Sequence, residues 1–223
     1  MGDLLHSFGK KLLSVIPSAN HNAKHSTSTT PTKDTNANNG EAKASSDGYD
    51  LPPVRRIVTG HNSKGLGNVK WDTLIPGQAT GLVGCKGLRS GALWTTDRVP
   101  SNDTNVNVDG ALRSIGGQGL VMREGTNLRF TDLAPGESSP MHRTSSVDYN
   151  TLITGKLILI TDSGSETLLS NPGDTVVMRG SMHAWRNPGP GWCRWVSVLV
   201  DAQPAEVNGK TLEDAWLVPS NSP

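Results

Sequence analysis

The sequence predicts an all-β sandwich or barrel behind an N-terminal arm with no fold of its own. Three observations lead there. Runs rich in Val, Ile, Leu and Thr recur from Val54 to Ala202, broken by Gly, Pro, Asn and Asp at the short intervals typical of antiparallel strands. No long stretch between them carries a helical hydrophobic period, which argues against alternating helices and a parallel sheet. Before Tyr49 the composition collapses to Ser, Thr, Asn, Lys and Ala, too polar to offset the entropy of ordering the chain.

The expected organisation is a disordered arm over residues 1–48 and a β-barrel domain over 49–219, with "PSNSP" as a tail. At the start of the arm, "MGDLLHSFGKKLLSVIPS" sets Leu4, Leu5, Phe8, Leu12, Leu13 and Ile16 at helical spacing, so a short amphipathic helix is expected. The run is too short and broken for a secretory signal. It also carries Asp3 and no arginine, unlike a mitochondrial presequence. A cytoplasmic protein is expected, with mitochondrial targeting left open. The strand candidates follow in order: "VRRIVTG", "GALWTTD", "LRFTDLAPG", "DYNTLITGKLILITDSG", "ETLLSNPGDTVVMRG" and "CRWVSVLVDA". Within the fifth, Asn-Pro-Gly-Asp marks a tight turn. "KTLEDAWLV" reads as a short helix.

Composition removes several function classes. Charged residues make up 18% of the chain and the formal charge is +1, so no strong field recruits nucleic acid or an anionic membrane. The basic residues are scattered without interleaved aromatics, and no apolar run is long enough to span a membrane. Cys85 and Cys193 fit no zinc spacing and read as free or buried thiols. A small-molecule partner remains.

Two segments concentrate chemistry. In "GESSPMHRTSSVDYNTLITG", an extended chain would place His142, Thr144, Ser146, Asp148 and Asn150 on one face. An all-polar row inside a small protein is costly unless it lines a wet pocket or binds an ion. In "NPGDTVVMRGSMHAWRN", His183 is followed at even spacing by Trp185 and Asn187. Trp185 shares the parity of His183 and is a pocket candidate. Trp94, Tyr149, Trp192 and Trp195 read as packing, Arg143 and Arg186 as surface residues, and His61 in "TGHNSKG" as part of a surface turn.

These segments resemble the two motifs of the cupin superfamily. Gly136, His142, Thr144, Asp148 and Gly155 fall on the spacing of the first motif, and Gly180, His183 and Asn187 on that of the second. Gly173 matches the second motif's earlier glycine with one residue fewer before the proline position, where Met178 stands. "LWTTD", "RRIVTGH" and "EVNGKTLEDAW" extend the likeness over roughly residues 53–216, to fungal cupin-domain oxidoreductases of polyketide gene clusters. The resemblance implies a double-sheet jelly-roll barrel. It also implies one divalent metal (iron, zinc or manganese) held by two His and a Glu of the first motif and a His of the second. His142 and His183 carry over directly, and Asp148 stands at the Glu position. Thr144 replaces the middle histidine and removes one strong donor.

The expected function is therefore a metal-dependent oxidoreductase of secondary metabolism acting on a polyketide-like intermediate. His142, His183 and Asp148 would bind the metal. His142, Asp148 and Thr144 would take part in catalysis, with Thr144 hydrogen-bonding a metal water or the substrate. Trp185, Asn187 and Asn150 would shape the substrate pocket. Two alternatives use the same pocket: a lyase or isomerase driven by proton transfer, and a ligand-binding cupin without turnover. A homodimer is expected, with "PPVRRIVTG" as a strand that could be exchanged.

Overall fold

The computed structural model describes residues 48–116 and 119–217. The N-terminal arm up to residue 47, its expected helix and the "PSNSP" tail lie outside the described residues. The strands are β1 (Val54–His61), β2 (Gly67–Ile75), β3 (Gln78–Ala79), β4 (Leu88–Thr96), β5 (Thr126–Leu133), β6 (Met141–Arg143), β7 (Ser146–Thr154), β8 (Leu157–Thr161), β9 (Glu166–Leu169), β10 (Thr175–Arg179), β11 (His183–Arg186), β12 (Cys193–Asp201), β13 (Ala205–Val207), β14 (Lys210–Leu212) and β15 (Ala215–Leu217). Every predicted strand candidate forms one of them. No helix among the described residues is long and apolar enough to cross a membrane.

Two antiparallel sheets make the barrel. One has six strands in the order β10-β7-β12-β5-β4-β3, the other five in the order β15-β6-β11-β8-β9. Leu133, Leu152, Leu157, Leu169, Met178, Trp185 and Trp195 form a buried apolar cluster drawing on both sheets. Trp185 of β11 and Trp195 of β12 approach across the interior with ring centroids 5.8 Å apart. Cys85 and Cys193 join this cluster as free thiols, and burial pushes each up to about 12, so neither supplies a thiolate.

Turn chemistry fixes the strand order. At Asn171-Pro172-Gly173-Asp174 the Asp174 amide donates to the Asn171 carbonyl (3.0 Å), and Gly173 takes a φ of 97°, as the turn requires. Between β7 and β8, Gly155 has a φ of 80°, and an added Cβ would sit 2.6 Å from the Cβ of Cys193. Only glycine lets this turn close against β12.

One expectation changes. "KTLEDAWLV" is not helical. Asn208 and Gly209, both at positive φ, turn β13 into β14, and the chain then adds β15 to the edge of the five-stranded sheet beside β6. Pairing with β6 outweighs the local helix preference of Leu, Glu and Ala. The segment named as a strand that could be exchanged forms β1, which pairs with β2.

The outer face of the six-stranded sheet is also covered. Arg56 of β1 clasps Asp109 through two contacts of 2.7 Å, and Trp71 of β2 lies 6.4 Å from Trp94. Trp94 donates its indole N–H to Asp103 (2.8 Å), a packing role as expected.

Candidate functional site

The site is built where the chain changes sheets. β6 belongs to the five-stranded sheet and β7 to the six-stranded one, so Thr144 and Ser145 form a corner and not a continuous strand. The Ser146 amide donates back to the Thr144 carbonyl (2.9 Å), and Asp214 accepts from both the Ser145 amide and its hydroxyl. The predicted single polar face is therefore corrected. His142 and Asp148 both point inward, but from opposite walls.

Those walls enclose a cavity of about 470 Å³. His142, His183, Trp185 and Trp216 line it from the five-stranded sheet, and Asp148, Asn150 and Arg129 from the other. Trp216, His142, His183 and Thr161 are successive cross-strand partners on β15, β6, β11 and β8. The Trp216 ring stacks on His142 at 4.5 Å and 13°, and the two imidazole centroids are 4.4 Å apart. Sequence reasoning missed Trp216, since its segment was read as a helix. The signal available was the Asn208-Gly209 turn, which favours a hairpin over a helix in this segment.

Both imidazoles are oriented the same way. His142 Nδ1 lies 2.9 Å from the Pro140 carbonyl and His183 Nδ1 2.9 Å from that of Ser181. A carbonyl oxygen only accepts, so each Nδ1 carries the proton and each Nε2 keeps its lone pair. Burial lowers both imidazoles, His183 to about 4 with the neighbouring His142 adding to the effect. At neutral pH the pair is uncharged and ready to act as a donor to a cation or as a base.

Asp148 is 4% exposed, and its Oδ1 is buried without a hydrogen-bond partner. Burial pushes its carboxyl up to about 6, the Ser146 hydroxyl offsetting part of the effect. Asn150, beside it on the same face, accepts from the Ser197 hydroxyl (2.7 Å) and leaves its own Nδ2 buried without a partner. These unspent polar atoms in one cavity suit a polar ligand or an ion.

Two expected site residues stand elsewhere. Thr144 is buried at the corner with its hydroxyl 2.9 Å from that of Ser146, and it is not part of the cavity wall. Asn187 is fully buried and off the wall as well. Its Nδ2 donates to the carbonyls of Leu133 and Gly191, and its Oδ1 accepts from the Gly189 amide. It pins the loop before β12. Asn187→Ala should cost about 2–4 kcal/mol in urea unfolding, through three lost buried hydrogen bonds, and leave ligand affinity in the cavity unchanged.

The fit of a divalent metal divides in two. The imidazoles suit it: neutral, with Nδ1–H held by carbonyls and Nε2 free, as second-shell bonds hold metal-ligating histidines. The unpartnered Asp148 oxygen in the same cavity suits it too. Yet among the described residues no three His, Cys, Asp or Glu side chains group closely enough to hold one ion. The expected set of His142, His183 and Asp148 faces one cavity, the imidazoles from one sheet and the carboxylate from the other.

Facing antiparallel sheets with inward histidines in this motif order define a cupin-type barrel. The chain belongs to the cupin superfamily, in the group of fungal cupin-domain proteins of biosynthetic gene clusters. The cupin-domain-containing oxidoreductase fogC of Aspergillus ruber is 36% identical over 170 residues, 73% of this chain and 80% of its own. Phomopsin biosynthesis cluster protein D of Diaporthe leptostromiformis is 34% identical over 176 residues, 76% of this chain and 91% of its own. Among solved structures, the polyketide cyclase RemF of Streptomyces resistomycificus aligns with a TM-score of 0.42 at 15% identity, over 66% of this chain and 82% of that one. That likeness is too low to bear on activity. No family model matches the sequence.

Proposed function

We propose that this protein is an oxidoreductase of secondary metabolism that acts on a polyketide-like small molecule, with its reactive centre at His142 and His183. The observation that carries the reading is the pair itself: two neutral imidazoles, rings 4.4 Å apart, facing one cavity with free Nε2 atoms. Kinship with named cupin oxidoreductases supports the reaction class. A divalent metal would be held by the two Nε2 atoms and would supply Lewis acidity or redox chemistry. The chain's own residues do the rest. Trp216 and Trp185 fix the imidazole planes and present flat apolar walls to a ring system. Asp148 offers a carboxyl that gains or loses a proton close to neutral pH.

That carboxyl supports a second reading. A buried acid pushed up to about 6, facing two neutral imidazoles, is also equipped for proton transfer without redox change. The experiment incubates the metal-reconstituted protein with reduced aromatic polyketide aldehydes and acids while oxygen uptake and products are followed. Product formed with stoichiometric oxygen uptake is expected. Conversion without oxygen uptake or any other electron acceptor would replace the oxidoreductase with a lyase or isomerase.

The same groups set a pH signature in metal-free protein. The folded Asp148 carboxyl keeps its proton to a higher pH than the unfolded one. Its contribution to stability is complete below the usual value of 3.8 and is lost as the pH rises through about 6. His183 runs the other way, complete above 6.5 and lost as the pH falls through about 4. Each is worth about 3 kcal/mol and the two oppose each other in mildly acidic solution. Asp148→Asn should therefore raise stability by about 2–3 kcal/mol above neutral pH. It should also unmask a steeper loss on acidification than the native protein shows, both read from urea midpoints across the range.

A further inference from the structure

A positive charge sits on the cavity wall with no carboxylate paired to it among the described residues. Arg129 lies on β5, on the cavity-facing parity shared with Asn127 and Thr131, while Phe130 and Asp132 face the other way. Its position in the sheet is a straight cross-strand row: Asn150, Ser197, Arg129 and Ala92 are successive partners on β7, β12, β5 and β4. The guanidinium is held but not paired. Its Nε and Nη2 donate to the Ser90 hydroxyl (3.1 and 2.7 Å), and Nη1 donates to the Gly119 carbonyl (3.2 Å). Ser90 is fixed as the acceptor because its own proton goes to the Phe130 carbonyl (2.6 Å). One N–H on each Nη is left without a partner among the described residues.

Three other guanidiniums drawn into described parts of the protein are treated differently. Arg56, Arg113 and Arg194 each clasp an aspartate. Arg129 forms no such pair among the described residues, and burial depresses it without any carboxylate to compensate. Asp148, on the same wall, makes no hydrogen bond to it through its buried Oδ1, which has no partner among the described residues. A partly buried cation lacking its counter-ion is costly unless something supplies one. Ser90 and Gly119 hold the planar fork in place at that cost.

We propose that Arg129 is the anchor for an anionic substrate, whose carboxylate takes the two free N–H groups while its apolar body extends across the cavity to His142 and His183. The inference rests on the cavity being the substrate site, as read above, but not on the metal or the reaction. It narrows the substrate class to organic acids. The body must cross from one wall to the other, about 10 Å, the spacing of packed sheets. An aryl group with a short acid side chain has that reach, and Trp185 and Trp216 suit its ring. The guanidinium favours a carboxylate over a neutral isostere through charge-assisted, two-pronged hydrogen bonds.

The test is calorimetric titration of the full chain with naphthylpropanoate and with naphthylpropanamide, which share shape and differ in charge. The native protein is expected to bind the acid at least about tenfold more tightly than the amide. Arg129→Met should erase that preference while leaving amide affinity unchanged, which also reports an intact cavity. Arg129→Lys, which keeps the charge and loses the fork, should restore part of it. His142→Ala, His183→Ala should keep the preference, so a failed metal or redox reading leaves this one standing. Equal binding of acid and amide, no binding of either, or an acid preference that survives Arg129→Met would overturn the proposal.

Discussion

Replacing His142 and His183 together by alanine is expected to lower turnover at least about a thousandfold, the range seen when a positioned acid–base or ligand pair is removed. The protein should remain folded, because these rings lie on a cavity wall and not in the apolar cluster. Loss of the pair removes both free Nε2 atoms and the stacking partner of Trp216. Single variants should cost nearly as much as the double, since a pair that acts as a unit is not additive. Initial rates with any turned-over acid, alongside circular dichroism, check this. A double variant with native rates would move the chemistry elsewhere in the cavity.

The second large effect falls on stability. Asp132 is fully buried on the outer face of β5. It receives Nε and Nη2 of Arg194 at 2.6 and 2.7 Å and the Tyr49 hydroxyl at 2.6 Å. Arg194 also donates to the Pro52 carbonyl (2.8 Å) and lies 4.7 Å over the Phe130 ring. Tyr49 is pushed up to about 12 by burial and by Asp132. The cluster ties the chain entering the barrel to β5 and β12. Asp132→Ala would strand a buried guanidinium, and a loss of about 3–5 kcal/mol in urea unfolding is expected. Ligand affinity should hardly change, because Asp132 and Arg129 are on opposite faces of the same strand. A loss below about 1 kcal/mol would mean that water reaches Arg194 and replaces the carboxylate.

Much of the fold was legible because it depends on local pattern. β1, β4, β5, β7 to β10 and β12 are runs of strand-forming residues between Gly, Pro, Asn and Asp, and chain-local chemistry decides them. β2 was missed because "GNVKWDTLI" is largely polar and exposed; it is a strand only through its pairing with β1. β15 was misread because its partner β6 lies far back along the chain, with Ala215 pairing with Arg143 and Trp216 with His142. The site shows the same division. His142, Asp148 and His183 were singled out by motif spacing and Asn150 and Trp185 by strand parity, and all five line the cavity. Thr144 and Asn187 satisfy the same spacing, yet a sheet-to-sheet corner and a buried loop knot claim them. Arg129 belongs to no motif, and Trp216 only closes the stretch "EVNGKTLEDAW", which carries a likeness but no role. Their roles come from which wall they face and which partners they lack, and spacing along the chain does not encode either.

The most direct test of the central claim is the metal content of protein purified without chelator or added metal, measured by elemental mass spectrometry beside the His142→Ala, His183→Ala variant. Near-stoichiometric iron, zinc or manganese in the native protein, absent from the variant, is the predicted result. Metal retained equally by both proteins, or absent from the native protein even after reconstitution, would contradict it.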